Sequence, residues 1–267
     1  TLPHRRLMRL LKLRISDRRF RNLIARFLKA GVLDESGKLS TDDFGSAQGA
    51  IISPVLANVF LHYALDTWFV ENYGSKNAVI VRYADDAIFL FGNQLKAQEF
   101  KSALCSRIEK YGLSLNEDKS GVINFRKPSG NVFQFLGFTF YWGTEPKTRR
   151  KCLKVKTERK RLSKKIQEFT SWIKKERSRH KLDDIWATAT KKLRGHYNYY
   201  GVATNRARLF HYYSAAVNAL FKWLNRRSQR KSFNWERFNR RLRHKPLPMP
   251  PAVALLKPLI EKRIYAY

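Results

Sequence analysis

Residues 82–91 read Arg82-Tyr83-Ala84-Asp85-Asp86-Ala87-Ile88-Phe89-Leu90-Phe91, and Ala78-Val79-Ile80-Val81 precede them. Two runs rich in β-branched and aromatic residues, split by a short polar segment, predict a strand–turn–strand over about 78–91. The adjacent carboxylates of Asp85 and Asp86 fall at the turn. Such a turn is either an ordinary structural one or a holder of hard oxygen ligands suited to Mg²⁺. Taken alone, the four residues Tyr83 to Asp86 leave both readings open.

The surrounding composition gives that question weight. The chain has 267 residues, 43% of them apolar, enough to bury a core in two domains or in one domain with an appendage. No apolar run has the length of a membrane span, no signal-peptide pattern opens the sequence, and membrane partners are not expected. With only Cys105 and Cys152, a disulfide framework and a four-cysteine zinc site are both excluded, and an intracellular compartment is expected. The formal net charge of +33 calls for a polyanionic partner, because neutralising phosphates releases counterions. The charge is uneven. Residues 147–181 carry sixteen Lys or Arg against three acids, and 222–245 carry ten against Glu236. Residues 41–100 reverse the balance, with seven acids against Lys76, Arg82 and Lys96. An acidic island in a basic chain suits a metal site beside a nucleic-acid track.

Outward from the turn, the pattern predicts a compact α+β unit with antiparallel strands. Ser16 or Asp17 is expected to cap a helix that ends at Gly31. Ser53-Pro54 reads as a cap followed by Pro at the first helical position. Val55, Leu56, Val59, Phe60, Tyr63 and Trp68 then recur at helical spacing up to Gly74. A helix from about 94 to Gly112 turns Phe100, Leu104 and Ile108 inward. Short strands are expected at about 121–126 and 131–142, joined by a turn over 127–131. Beyond about residue 150 the sequence reads as helices without a strand signal. Three apolar stripes run there, Leu162–Ile173, Leu182–Tyr197 and Leu209–Leu224, and the Pro-rich stretch 246–251 introduces a tail.

Four segments, the turn among them, carry a resemblance. Gly45-Ser46-Ala47-Gln48-Gly49-Ala50-Ile51-Ile52-Ser53-Pro54 with Leu56-Ala57-Asn58, then Tyr83-Ala84-Asp85-Asp86, then Gly112-Leu113-Ser114-Leu115-Asn116 with Lys119, and Phe135-Leu136-Gly137-Phe138 follow one another. In that order they resemble the motifs of reverse transcriptases. Arg194-Gly195-His196-Tyr197-Asn198-Tyr199-Tyr200-Gly201 and Trp235-Glu236-Arg237-Phe238-Asn239 resemble the maturase (X, or thumb) region of group II intron-encoded reverse transcriptases.

The resemblance implies a right-hand polymerase palm over residues 1–145, its antiparallel sheet backed by helices. An all-α basic thumb/maturase domain over 146–245 and a tail over 246–267 would follow. The implied activity is RNA-directed DNA polymerisation, a Mg²⁺-dependent nucleotidyl transfer at a two-metal site, together with an intron-RNA-binding maturase role. Asp85 and Asp86 would be metal ligands. Gln48, Gly49, Tyr83 and Ala84 would border the incoming nucleotide, and Lys119 would sit near its triphosphate as a point charge or proton donor. Phe135, Leu136, Gly137 and Phe138 would grip the primer. Lys160, Arg161, Lys164, Lys165, Arg194, His196 and Tyr197 would contact RNA. The implied partners are group II intron RNA, template RNA, a DNA primer or target, and dNTPs, in a bacterial cytoplasm or an organelle.

The family pattern is broken in one place. The third metal ligand comes from an earlier strand ending Phe-Phe-Asp, followed shortly by a His that His4 matches. That aspartate would lie before Thr1, and Asp42 and Asp43 do not replace it. A separate N-terminal reverse-transcriptase polypeptide, or a removed segment, is therefore expected to complete the site. Residues after Pro251 hold neither Cys nor His, so no zinc-containing endonuclease is expected. The competing reading is an RNA-binding maturase, or splicing cofactor, with no polymerase activity of its own.

Overall fold

The computed structural model describes residues 3–29, 32–33, 39–40, 52–74, 78–126, 130–227 and 234–252. The chain divides into two compact units, with the division between Asn124 and Phe125. The change of sequence character near residue 145 lies within the second unit.

In the first unit, α1 (His4–Lys12) and α2 (Arg18–Lys29) form a helical pair. Asp17 starts α2, its carboxylate accepting from the backbone N–H groups of Arg19 at 2.7 Å and Phe20 at 3.3 Å. Two short strands, β1 (Val32–Leu33) and β2 (Leu39–Ser40), pair antiparallel. The Ser53-Pro54 helix continues to Tyr73, but not as one regular α-helix. It comprises α3 (Ser53–Leu61), a π turn (His62–Asp66) and α4 (Thr67–Tyr73). The π turn inserts one residue and rotates the buried stripe. Leu56, Phe60 and Ala64 therefore pack with Leu7, Leu11, Ile24 and Leu28. From the next position, Leu65 and Phe69 pack into a second cluster with Phe100, Leu104 and Ile108. The regular spacing placed Val55 in the apolar stripe; in the structure Val55 is exposed, Phe69 is buried, and Trp68 packs partly buried against the same cluster.

The expected hairpin is present. β3 (Val79–Tyr83) and β4 (Asp86–Leu90) pair antiparallel from Val79↔Leu90 to Tyr83↔Asp86, which leaves Ala84 and Asp85 as a two-residue loop. α5 (Gln94–Lys110) follows, capped by the Asn93 side chain accepting from Leu95 N–H at 2.8 Å.

From residue 121 onward the structure departs from expectation at three points. The strand expected at 121–126 is absent: Val122 and Ile123 are exposed, and the Phe125 carbonyl accepts from the Trp142 indole at 2.9 Å. The single strand expected at 131–142 is itself a hairpin, β5 (Phe133–Phe135) and β6 (Phe138–Thr144), turning at Leu136-Gly137. Both turn residues have positive φ, 50° and 77°, the geometry that lets a two-residue loop match strand twist.

The expectation of helices alone after about 150, and of an all-α domain from 146, is also corrected. β7 (Lys151–Thr157) pairs along the length of β6. Leu153, Val155 and Thr157 alternate with Lys154 and Lys156, and this period-2 pattern is short enough to vanish in the lysine-rich run. The described helices beyond it are α6 (Arg159–Glu176), α7 (Leu182–Tyr200), α8 (Arg206–Leu224) and α9 (Trp235–His244). The three apolar stripes supply their common core, and Phe238 and Leu247 join it. Asn205, 1% exposed, ties strand to helices: its side chain accepts from Thr157 N–H at 2.7 Å and donates to Thr157 Oγ1 at 2.7 Å and Tyr200 O at 2.9 Å. None of the described helices is long and apolar enough to cross a membrane.

Candidate active site and nucleic-acid face

The β3–β4 loop presents both carboxylates outward. Tyr83, Ala84, Asp85 and Asp86 are all exposed, Tyr83 at 67%. Ala84 takes φ +53°, a left-handed conformation that costs a non-glycine residue roughly 1 kcal/mol or more. Arg82 braces it. Its Nη1 donates to the Ala84 carbonyl and to Asn58 Oδ1, each at 2.8 Å. Its Nε and Nη2 make a bidentate pair with Asp66 at 2.7 and 2.5 Å. The motif reading missed this network. Its one signal was Arg82, among the few bases in the acidic island, and the pairing with Asp66 depends on the π turn.

Exposed, adjacent carboxylates are hard oxygen donors and fit Mg²⁺ as two ligands of a larger set. Among the described residues no group of three or more His, Cys, Asp or Glu could hold a metal ion. Lys119 ends a 3-10 turn (Glu117–Lys119) that Asn116 caps, accepting from the Lys119 N–H at 3.2 Å. Its side chain is exposed, and among the described residues no ion pair joins it to Asp85 or Asp86. Gln48 and Gly49, with most of their block, lie outside the described residues.

The Phe135–Phe138 turn is held by the RGHYNYYG helix. Tyr199 Oη donates to the Leu136 carbonyl at 3.0 Å, and Glu158 N–H donates to the Gly137 carbonyl at 3.0 Å. The Phe138 ring stacks on Tyr199 and meets Tyr200 edge-on. A Cβ at Gly137 would come within 2.9 Å of Tyr200 Oη, so this position needs glycine for space as well as for φ.

The basic residues divide by burial. Lys160, Arg161, Lys164 and Lys165 are exposed on α6, and Arg194 is exposed on α7. Lys165 pairs with Glu168 at 2.8 Å and holds that carboxyl below its usual range. His196 and Tyr197, expected at an RNA surface, are instead 6% and 7% exposed and belong to the helical core. They follow the inward stripe of α7, so helical phase overrides their polarity. His196 stacks on Tyr212 with ring centres 3.9 Å apart. Burial, with the positive charge of Lys165, pushes its pKa down to about 4. Burial raises the Tyr197 hydroxyl as well.

Residues 1–140 match the family model described as reverse transcriptase (RNA-dependent DNA polymerase), more than half of the sequence. The chain belongs to the reverse transcriptase family. Several of the proteins it is similar to are named for introns. It is 45% identical over 76 residues to an uncharacterized 91 kDa protein in the cob intron of Schizosaccharomyces pombe, 28% of this chain and 9% of that protein. It is 37% identical over 73 residues to the putative COX1/OXI3 intron 1 protein of Saccharomyces cerevisiae, 27% of this chain and 8% of that protein. It is 43% identical over 61 residues to the group II intron-encoded protein LtrA of Lactococcus lactis, 23% of this chain and 10% of that protein. The chain thus spans about a tenth of the length of each of these relatives. These matches support the group II intron type of reverse transcriptase/maturase.

Proposed function

We propose that this chain carries the metal-binding turn and the nucleic-acid-gripping helices of a group II intron-type RNA-directed DNA polymerase, with a maturase role in binding intron RNA. The observation that carries this reading is the pair Asp85 and Asp86, exposed on a braced two-residue hairpin loop inside the region that matches the family. Residues 1–145 would form the palm, 146–245 the thumb/maturase region and 246–267 a tail. Asp85 and Asp86 would hold Mg²⁺, which when bound activates the primer hydroxyl and stabilises charge on the leaving pyrophosphate. Gln48 and Gly49 would border the dNTP, and Lys119 would offer a positive charge to its phosphates. The Leu136-Gly137 turn, clamped by Tyr199 and Glu158, would support the primer strand. Exposed Lys160, Arg161, Lys164, Lys165 and Arg194 suit a duplex read through its backbone and 2′-hydroxyls. Template RNA, intron RNA and DNA primer place the action inside a cell or organelle. A third carboxylate would be needed to complete the metal site, since the described residues supply no group of three.

A maturase that binds RNA without polymerising is favoured by one observation: α6 exposes Lys160, Arg161, Lys164 and Lys165, while the acidic pair lacks a third ligand among the described residues. The deciding experiment is primer extension on an RNA template with Mg²⁺, using this chain with and without the preceding polypeptide, alongside RNA affinity across salt concentrations. Asp85→Asn is expected to abolish synthesis and leave RNA affinity unchanged. Reversing Lys160, Arg161, Lys164 and Lys165 is expected to weaken RNA binding and flatten its salt dependence. No synthesis under either condition, with tight RNA binding intact, would favour the maturase alone.

A further inference from the structure

Arg82 is three residues from Asp85 and four from Asp86, and a free guanidinium there would compete with metal for their oxygens. Its donors are occupied instead. Asp66 takes the Nε–Nη2 fork, and Asn58 and the Ala84 carbonyl share Nη1. Asp66 reaches the fork because it ends the π turn, a one-residue insertion of the kind that recurs at functional sites. Nη1 in turn holds the carbonyl of a residue in left-handed conformation, next to the first carboxylate.

We propose that Arg82 is a positioning residue for the metal-binding turn, and that Asp66 and Asn58 keep its guanidinium on the Ala84 carbonyl and away from Asp85 and Asp86. This rests on reading Asp85 and Asp86 as metal ligands. The arrangement does two things at once. It fixes the backbone that aims the carboxylates, and it engages the guanidinium of the same hairpin so that their oxygens stay available. Asp66 is thus required as an anion and not only as a hydrogen-bond acceptor.

The test is Mn²⁺ titration of the full chain, following paramagnetic broadening of the Asp85 and Asp86 amide signals, with circular dichroism melting to verify folding. Asp66→Asn keeps an acceptor oxygen and releases the charge of Arg82. It is expected to weaken Mn²⁺ binding about 10–100-fold, the range for loss of a residue that supports a metal ligand. The double variant Asp66→Asn/Arg82→Gln is expected to bind as Arg82→Gln alone does, and more tightly than Asp66→Asn, because the freed cation is gone. A merely structural salt bridge predicts the double variant to be no better than Asp66→Asn, and that result overturns the proposal. Should Asp66→Asn not fold, Asn58→Ala decides: an intermediate loss supports the proposal, and unchanged affinity overturns it. Asp85→Asn separates the underlying reading. If Mn²⁺ broadening persists in that variant, the metal assignment falls and the positioning role falls with it. If broadening is lost there but untouched in Asp66→Asn, only the positioning role falls.

Discussion

Acid should destabilise the helical unit through His196, and the size of the effect follows from its burial. The imidazole is enclosed by Tyr212 and Tyr200 and titrates at about 4 against 6.5 for the free side chain. A depressed histidine pKa means that the unfolded chain binds the proton first. The stabilisation is whole well above pH 6.5 and is lost as pH falls from there toward 4. At about pH 5 the unfolded state gains roughly a thirtyfold statistical advantage from protonation, which is about 2 kcal/mol. The assay is urea unfolding of the chain at about pH 7.5 and pH 5, compared with His196→Phe, which keeps an aromatic ring between the tyrosines. Carboxylates also titrate in this interval, so the difference between the two proteins isolates the histidine. The wild type should lose about 2 kcal/mol more than the variant over that interval. Equal losses would refute the assignment of His196 to a core position and restore it as an accessible, protonatable side chain.

Two further outcomes follow from single atoms. Asn205→Ala removes one accepted and two donated hydrogen bonds from a site 1% exposed and strands Thr157 N–H, while the Tyr200 carbonyl keeps the Val202 N–H. It should cost about 3–5 kcal/mol in chemical denaturation, and a loss under about 1 kcal/mol would show that water replaces the amide. Gly137→Ala forces a left-handed alanine against Tyr200 Oη. It should lower stability by about 1–3 kcal/mol and, if this turn supports the primer, raise the KM for primer–template more than it lowers kcat.

What the sequence determined by itself was whatever is written in local chemistry. Runs of β-branched and aromatic residues on either side of Ala84-Asp85 specify a hairpin, because such side chains favour strands and the polar residues between them favour a turn. A cap at Ser16 or Asp17 was legible because a short side-chain oxygen meets orphan N–H groups at a helix start, and Asp17 fills that place. The stripes on α6, α7 and α8 identify a helical core by their spacing alone. The paired aspartates and the order of motifs pointed to the polymerase family.

The tertiary structure decided the rest. Only packing shows that the helix from Ser53 carries a π turn, because one inserted residue changes which face is buried without changing composition. The partnership of Arg82 with Asp66 depends on that rotation and joins residues sixteen apart. β7 was hidden because three inward residues among lysines make a weak periodic signal, and the strand exists by pairing with β6. His196 and Tyr197 have polar chemistry but sit at inward helical positions, so the desolvating neighbours, not the side chains, set their role. Local preferences choose elements; which polar group is surface and which is core is settled when elements from distant parts of the sequence pack and exclude water.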